Sequence, residues 1–333
     1  MSSPFLVRPF RPGDEETLPE LWSTCLPADP ISSSRLVDRI LLDANFDPDG
    51  LLVAEAQARL IGFVLAIVRR VPLPGGSSGR RNGSDSKTGG DGDADCGWIT
   101  AFGVRPEWRR QGVGRALLDR ALGFLREHGR RQVLVSQYAP NYFVPGVDPV
   151  AYPAAIPFLT GLGFSPSAEV VAMDCDLAGV GILPADVRAR QLSLVAEGVE
   201  FGRLTPRLLV PLLRFAETNF GADWAQSIRD GLLRGGPPER IIVAHRGDEI
   251  LGYCMYGLYD RPVERFGPFG VHPSWRGRGI GKVLLHICLR EMKGQGLHHA
   301  WFLSTGENSP AARLYRQLGF VVSRKFIMLQ REL

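Results

Sequence analysis

One stretch of this chain occurs twice, and that repeat limits the fold more than any other feature. "EWRRQGVGRALL" runs from Glu107 to Leu118, and "SWRGRGIGKVLL" runs from Ser274 to Leu285. Arg276 lies 167 positions after Arg109, and Gly281 lies 167 positions after Gly114. In a chain of 333 residues this offset is half the length, so the sequence reads as two copies of one domain.

The repeat extends on both sides. "LLVAEAQARLIGFVLAIV" (51–68) and "IIVAHRGDEILGYCMYGL" (241–258) each read as two strands joined by a short turn. Val53, Ala54 and Gly62 match Val243, Ala244 and Gly252, now 190 positions apart. The surplus falls in a Gly-, Ser- and Asp-rich insert at 72–96 of the first half. It holds too few apolar groups to offset the entropy of ordering a chain, and is expected to be a disordered surface loop. The halves close alike, in "FLTGLGF" (158–164) and "LYRQLGF" (314–320). The first half has extra residues before that point, in the Pro- and Tyr-rich stretch 138–153.

The expected order in each half is a strand, early helices, the hairpin, a strand, the glycine stretch with its helix, a strand, a helix and final strands. Opening strands fall at 5–10 and 199–204, and early helices near 15–24, 32–43, 206–218 and 223–234. The expected domains are 1–182 and 199–333, joined by a connecting helix at 183–198 that Gly198 closes. The fold class is α/β (α+β).

Composition excludes several functions. A net charge of +4 with no dense basic stripe argues against a nucleic-acid partner. The start lacks a basic segment followed by an apolar one, and no apolar run reaches about 18 residues, so no membrane association and a cytoplasmic location are expected. Cysteines 25, 96, 175, 254 and 288 are scattered without a Cys-x-x-Cys pair, which points to reduced thiols and no metal. Oligomeric state, monomer or homodimer, stays open.

The glycine stretch follows a strand, "RFGPFGV" (265–271), and opens a helix marked by Val283, Leu284, Ile287, Cys288 and Met292. The first amides of a helix have no partner within it, and the positive end of its dipole favours an anion. Gly279 and Gly281 leave room for a phosphate to approach, and Arg276, Arg278 and Lys282 add charge. A P-loop is excluded because Val283, not Ser or Thr, follows Lys282. A dinucleotide fingerprint is excluded by the spacing of Gly277, Gly279 and Gly281.

Arg276-Gly277-Arg278-Gly279-Ile280-Gly281, between a strand and a helix, resembles the acetyl-CoA pyrophosphate loop of the GNAT superfamily of N-acetyltransferases. "NSPAARLYRQLGF" (308–320) is similar to the late helix of that family. The resemblance covers both halves. It implies tandem GNAT-like domains, each a mixed, mostly antiparallel splayed sheet flanked by helices. It also implies acetyl-CoA as co-substrate and a small-molecule amine or protein amino group as acceptor, by direct attack on the thioester.

By that resemblance Tyr315 is the acid for the leaving thiolate, and Asn308 helps hold the pantetheine. Backbone groups of Phe269 and Val271 face the acyl arm, and Ile280 and Lys282 complete the loop. The base is expected at Glu264, with Asp260 and His272 as rivals. Val104, Arg109, Arg110, Gln111, Gly112, Val113, Gly114 and Arg115 form the matching loop of the first half. That half departs from the pattern. Aligning Gly163-Phe164 with Gly319-Phe320 puts Leu159 opposite Tyr315 and Tyr152 opposite Asn308. Leucine cannot donate a proton, so chemistry is expected in the second half, unless Tyr142 or Tyr152 supplies an acid in the first. Cys254 and Cys288 lie in apolar runs and are expected in the core. Acceptor specificity is expected at 11–45 and 205–235, with Phe220, Trp224, Tyr253 and Tyr256 as candidate lining. A non-catalytic acyl-CoA sensor is the competing class.

Overall fold

The computed structural model describes residues 4–73, 94–259 and 262–333. The insert expected at 72–96 lies outside the described residues except at its margins, where Cys96 already begins a strand. Two compact units emerge. The first comprises 4–72, 94–169 and the chain end 326–333; the second comprises 170–325.

The first unit opens with β1 (Leu6–Pro9), α1 (Leu18–Cys25) and α2 (Ser33–Leu36). The single helix expected at 32–43 is instead a short helix capped by Ser32, followed by a wide π turn over Val37–Leu41. Next come β2 (Leu51–Ala56), β3 (Arg59–Val68), β4 (Cys96–Val104), α3 (Val113–Glu127), β5 (Gln132–Val135) and α4 (Ala155–Thr160). Strands β1 to β4 pair antiparallel in sequence order, and β5 runs parallel to β4. Strand β3 is buried on both faces, so it reads as an unbroken apolar run. One face packs on α3 through Leu117, Leu118, Ala121 and Leu125. The other packs on Trp22, which stacks on Phe63 at 4.8 Å. In the 138–153 stretch, Tyr138 and Phe143 are buried in that second core.

The second unit follows β6 (Ser165–Asp176) with α5 (Ala185–Ala196), β7 (Glu200–Arg203), α6 (Pro206–Phe220) and α7 (Ala222–Leu233). It continues with β8 (Ile241–Arg246), β9 (Glu249–Tyr256), β10 (Phe266–Val271), α8 (Ile280–Gly294), β11 (His299–Thr305), α9 (Pro310–Gln317) and β12 (Val321–Glu332). Strands β7 to β10 form an antiparallel sheet in sequence order. Strand β11 pairs with β6 over Val171–Asp176. Helix α8 buries Val283, Leu284, Cys288 and Met292 against one face of the β8–β10 sheet, and α6 and α7 cover the other with Leu212, Phe215 and Ile228. No helix among the described residues is long and apolar enough to cross a membrane.

Candidate active site

Strands β10 and β11 touch at one parallel bridge, Arg265 to Trp301, where the Trp301 amide donates to the Glu264 carbonyl at 3.1 Å. Beyond that bridge no ladder joins them. Strand β10 bonds β9 on its other side. The His272 amide donates to the Leu251 carbonyl at 2.8 Å, so the alternation of an antiparallel ladder turns the amides of Phe269 and Val271 away from β9, toward the gap. The first unit repeats this. The Arg105 amide donates to Ile61, which leaves the amides of Phe102 and Val104 facing outward, and β4 runs on past the end of β5. Phe102, the counterpart of Phe269, was not singled out from the sequence, although the same 167-residue offset points to it.

The wide end of the gap meets the glycine loop. Gly277 and Gly279 have φ of +77° and +84°, which L side chains rarely adopt, and Gly279 precedes the first turn of α8 without a side-chain cap. The early amides of α8 are therefore free for an outside acceptor. Gly281 differs from expectation. A Cβ there would stand 3.1 Å from the Phe269 ring and 3.4 Å from Val271, so this glycine brings α8 close to β10 rather than clearing a path for phosphate. Gly114 does the same in the first unit, against Phe158 at 3.2 Å. Ile280 and Val113 turn their side chains into the core and can offer a ligand only backbone.

The loop cations differ between the units. Arg276 Nε donates to the Val271 carbonyl at 3.3 Å, and Arg109 Nε to the Val104 carbonyl at 3.0 Å, so both arginines brace the loop. Arg278 lies over Trp275 at 4.4 Å and pairs with Glu197 at 2.9 Å, and Lys282 pairs with Asp186 at 2.8 Å. The Lys282 ammonium holds the Asp186 carboxyl below the usual carboxylate range. In the first unit Gln111 donates to the Glu107 carbonyl at 2.9 Å, while Arg110 and Arg115 are exposed and form no ion pair among the described residues. Sequence reading missed Asp186, Arg190 and Glu197. Their spacing along one helix face is the signal that could have flagged them.

Tyr315 lies on α9 in an aromatic cluster drawn from both sides of the gap. Its ring is 4.6 Å from Phe302 on β11, and 6.1 and 6.0 Å from Phe266 and Phe269, both on β10. Burial pushes its phenol well above the ordinary range, so the hydroxyl carries its proton at any physiological pH. Asn308 is exposed, and the cap of α9 is Ser309, which accepts from the Ala312 amide at 3.1 Å. Asn308 therefore does not cap α9.

Glu264 is half-buried in the turn before β10, at the closed end of the gap. His272 stands at the opposite end, where Nδ1 accepts from the Ser274 amide at 3.2 Å. Asp260 lies outside the described residues. Cys254 and Cys288 are wholly buried, and burial lifts the Cys254 thiol far above its ordinary range, so neither is a ready nucleophile.

The acceptor lining needs correction at two positions. Tyr253 and Tyr256 are fully buried and line no open cleft. Phe220 and Trp224 are half-buried and stack at 4.4 Å, and the Phe220 ring covers Gly270 so closely that a Cβ there would stand 2.3 Å away. A cleft of about 480 Å³ lies between α6 and β9, lined by Arg214, Phe215, Asn219, Asp248 and His272 among others. In the first unit Leu159 is buried in the core, and the Tyr152 hydroxyl donates to Asp29 at 2.7 Å, an attachment that holds it where it is.

A splayed strand pair with outward amides, running into a glycine loop at a helix start, is the architecture of an acyltransferase scaffold. The profile of the acetyltransferase (GNAT) family matches residues 15–142 and 210–320, and the chain belongs to that family. It is 28% identical to the mycothiol acetyltransferase of Catenulispora acidiphila, over 68% of this chain and 70% of the relative. A glucosamine N-acetyltransferase region of a fungal multi-domain β-N-acetylglucosaminidase superposes with a TM-score of 0.77 at 20% identity, covering 99% of this chain and 38% of that one. A tandem GNAT protein from the clavulanic acid biosynthesis pathway superposes with a TM-score of 0.62 at 19% identity, covering 98% of each chain. The chain is thus a tandem GNAT N-acetyltransferase.

Proposed function

We propose that this protein transfers an acetyl group from acetyl-CoA to a primary amine, with the chemistry in the second unit and a non-catalytic first unit. The observation that carries this reading is Tyr315, a protonated phenol in an aromatic cluster that joins the two sides of the gap. Leu159 stands at the matching position of the first unit. Relatives named mycothiol acetyltransferases favour the amine acetylated by those enzymes as acceptor over a protein amino group.

Acetyl-CoA supplies the acyl group and a thiolate leaving group. The residues present suit it. The amides of Phe269 and Val271 hold the acyl arm as a strand would, and the N–H of either can donate to a carbonyl oxygen that gains charge. The first turn of α8 and the Gly277–Gly279 backbone receive the pyrophosphate. Tyr315 is the proposed proton donor to the departing sulfur, since burial keeps its phenol protonated where the thiolate forms. Glu264 is the proposed base for the ammonium proton of the acceptor. It is the carboxylate at the closed end of the gap, away from the phosphate loop.

Titration calorimetry on the full chain and on Gly279→Glu and Gly112→Glu variants tests the binding part. Loss of the catalytically competent site with Gly279→Glu alone is expected. Thiol release from acetyl-CoA, followed with the amine used by mycothiol acetyltransferases and with a panel of other amines, tests the chemistry. Turnover that survives unchanged in Tyr315→Phe would remove the catalytic centre from the second unit. Tight binding without turnover on any amine would favour a sensor.

A further inference from the structure

The two glycine loops share a backbone but not their surroundings. In the first unit a Cβ on Gly112 would meet nothing within 4 Å. In the second, a Cβ on Gly279 would stand 2.9 Å from Cγ of Arg190, a side chain of the connecting helix α5. Arg190 Nε donates to the Arg278 carbonyl at 2.6 Å, a bond from α5 to the loop itself. Asp186 and Glu197, four positions before and seven after Arg190, lie on the same face of the helix. They take the loop's two free cations: Lys282 at 2.8 Å and Arg278 at 2.9 Å. Glu197 also lies 3.7 Å from Arg190.

The position of Glu197 is telling. It is the C-terminal cap of α5, where the helix dipole disfavours a negative charge. Its cost there is offset by the two guanidiniums it meets, Arg190 and Arg278. The helix therefore brings one carboxylate to each loop cation that a pyrophosphate would otherwise use.

We propose that Asp186 and Glu197 are built-in competitors of the pyrophosphate, so that α5 sets how tightly the second unit holds acyl-CoA. This rests on the phosphate-loop reading of Gly277–Gly281 given above. Binding exchanges two intramolecular carboxylates for two phosphates, while Arg190 keeps the loop backbone in shape from behind. The ion pairs are half-exposed, with side-chain exposures of 38% for Lys282 and 45% for Arg278. Pairs of this kind open readily, which makes them competitors rather than a lock. The first loop has no such competitor: Arg110 and Arg115 are exposed and form no ion pair among the described residues. The consequence is an ordering of the two loops by electrostatics that is opposite to their ordering by chemistry.

The test uses the full chain carrying Gly112→Glu, so that only the second loop is read. CoA affinity is measured by calorimetry against NaCl concentration for this parent and for Asp186→Asn/Glu197→Gln. Removing two negative charges beside a doubly charged pyrophosphate should tighten binding about fivefold at low salt. The gain should vanish near 1 M salt, where the Debye length is about 3 Å. S-acetylpantetheine, which carries no phosphate, should bind the two proteins alike. Asp186 lies in the first turn of α5, so its loss weakens that helix. Glu197→Gln alone removes a charge the helix disfavours, and it should give roughly half the effect without cost to the fold. Unchanged or weaker CoA binding in both variants would overturn the proposal and leave the phosphate-loop reading intact. A parent that binds no CoA would overturn both.

Discussion

Tyr315→Phe removes one oxygen and leaves the ring. The ring packs 4.6 Å from Phe302 and 5.5 Å from Phe320, and those contacts stay in the variant. Stability should therefore change by less than about 1 kcal/mol. The loss should appear in kcat. A positioned general acid is worth about 10²–10⁴ in rate, which is about 2.7–5.4 kcal/mol of barrier. The assay is thiol release from acetyl-CoA at saturating acceptor, with CoA affinity measured separately on the same protein. A fall of at least about 100-fold in kcat is expected with unchanged CoA affinity, since the hydroxyl acts only when the thiolate leaves. The pH profile gives an independent sign. Burial raises the phenol above its ordinary value of 10, so wild-type kcat should show no loss of the acid form as pH rises toward 10. A variant retaining more than a third of wild-type kcat would refute the assignment. So would a wild-type profile that loses an essential acid near pH 8.

Three further predictions address the scaffold. Leu159→Tyr restores the missing phenol in the first unit, but Leu159 is wholly buried; the variant should lose about 1–3 kcal/mol in a denaturant melt and should not rescue Tyr315→Phe. Tyr253 is wholly buried and its hydroxyl has no partner among the described residues, so Tyr253→Phe should be neutral or stabilise by about 1 kcal/mol by thermal denaturation. Asp14 accepts two bonds from the buried Arg8 guanidinium, at 2.7 and 2.9 Å; burial raises its carboxyl pKa, but Arg8 outweighs this and holds it below the ordinary 3.8. Its contribution to stability is thus complete above that value and fades as pH falls through the lower folded one, and Asp14→Asn should cost about 3 kcal/mol at pH 7 and progressively less in acid.

The parts legible in the sequence are those set by local periodicity. The hairpins at 51–68 and 241–258 and the helices after each glycine loop carry an apolar pattern that only one packing satisfies. The helix expected near 32–43 runs unbroken over 33–41, but its second part is not α. Its apolar residues follow helical spacing, but the chain widens into a π turn at Val37 that periodicity does not encode. Asn308 and Ser309 both suit a cap, and only the bond to the Ala312 amide chooses between them. The spacing of Asp186, Arg190 and Glu197 marks one face of α5 in the sequence, but not what that face meets. Arg190 and Arg278 are 88 positions apart, and nothing local to either marks the other. Gly281 misled in the same way: a glycine in a phosphate-binding motif invites a ligand explanation, whereas its missing Cβ is used by Phe269.

The contrast between the units follows from which parts of a GNAT site are backbone and which are side chain. The outward amides of β4 and β10 and the first amides of α3 and α8 survive almost any substitution, because the ladder and the helix supply them. The two units therefore present the same backbone, a strand with outward amides leading to a helix start, whatever side chains surround it. On the proposed reading the proton donor is one phenol, Tyr315, and the buried Leu159 at the matching position of the first unit offers none. The early helices follow the same logic. In the first unit Trp22 stacks on Phe63 and meets Phe143, each at 4.8 Å, in a buried cluster on one face of the sheet. In the second unit Tyr315 is present, and a cleft of about 480 Å³ lies between α6 and β9. A glycine motif thus reports a binding backbone equally well in either copy, and only the side chains that face it distinguish a working site from a structural one.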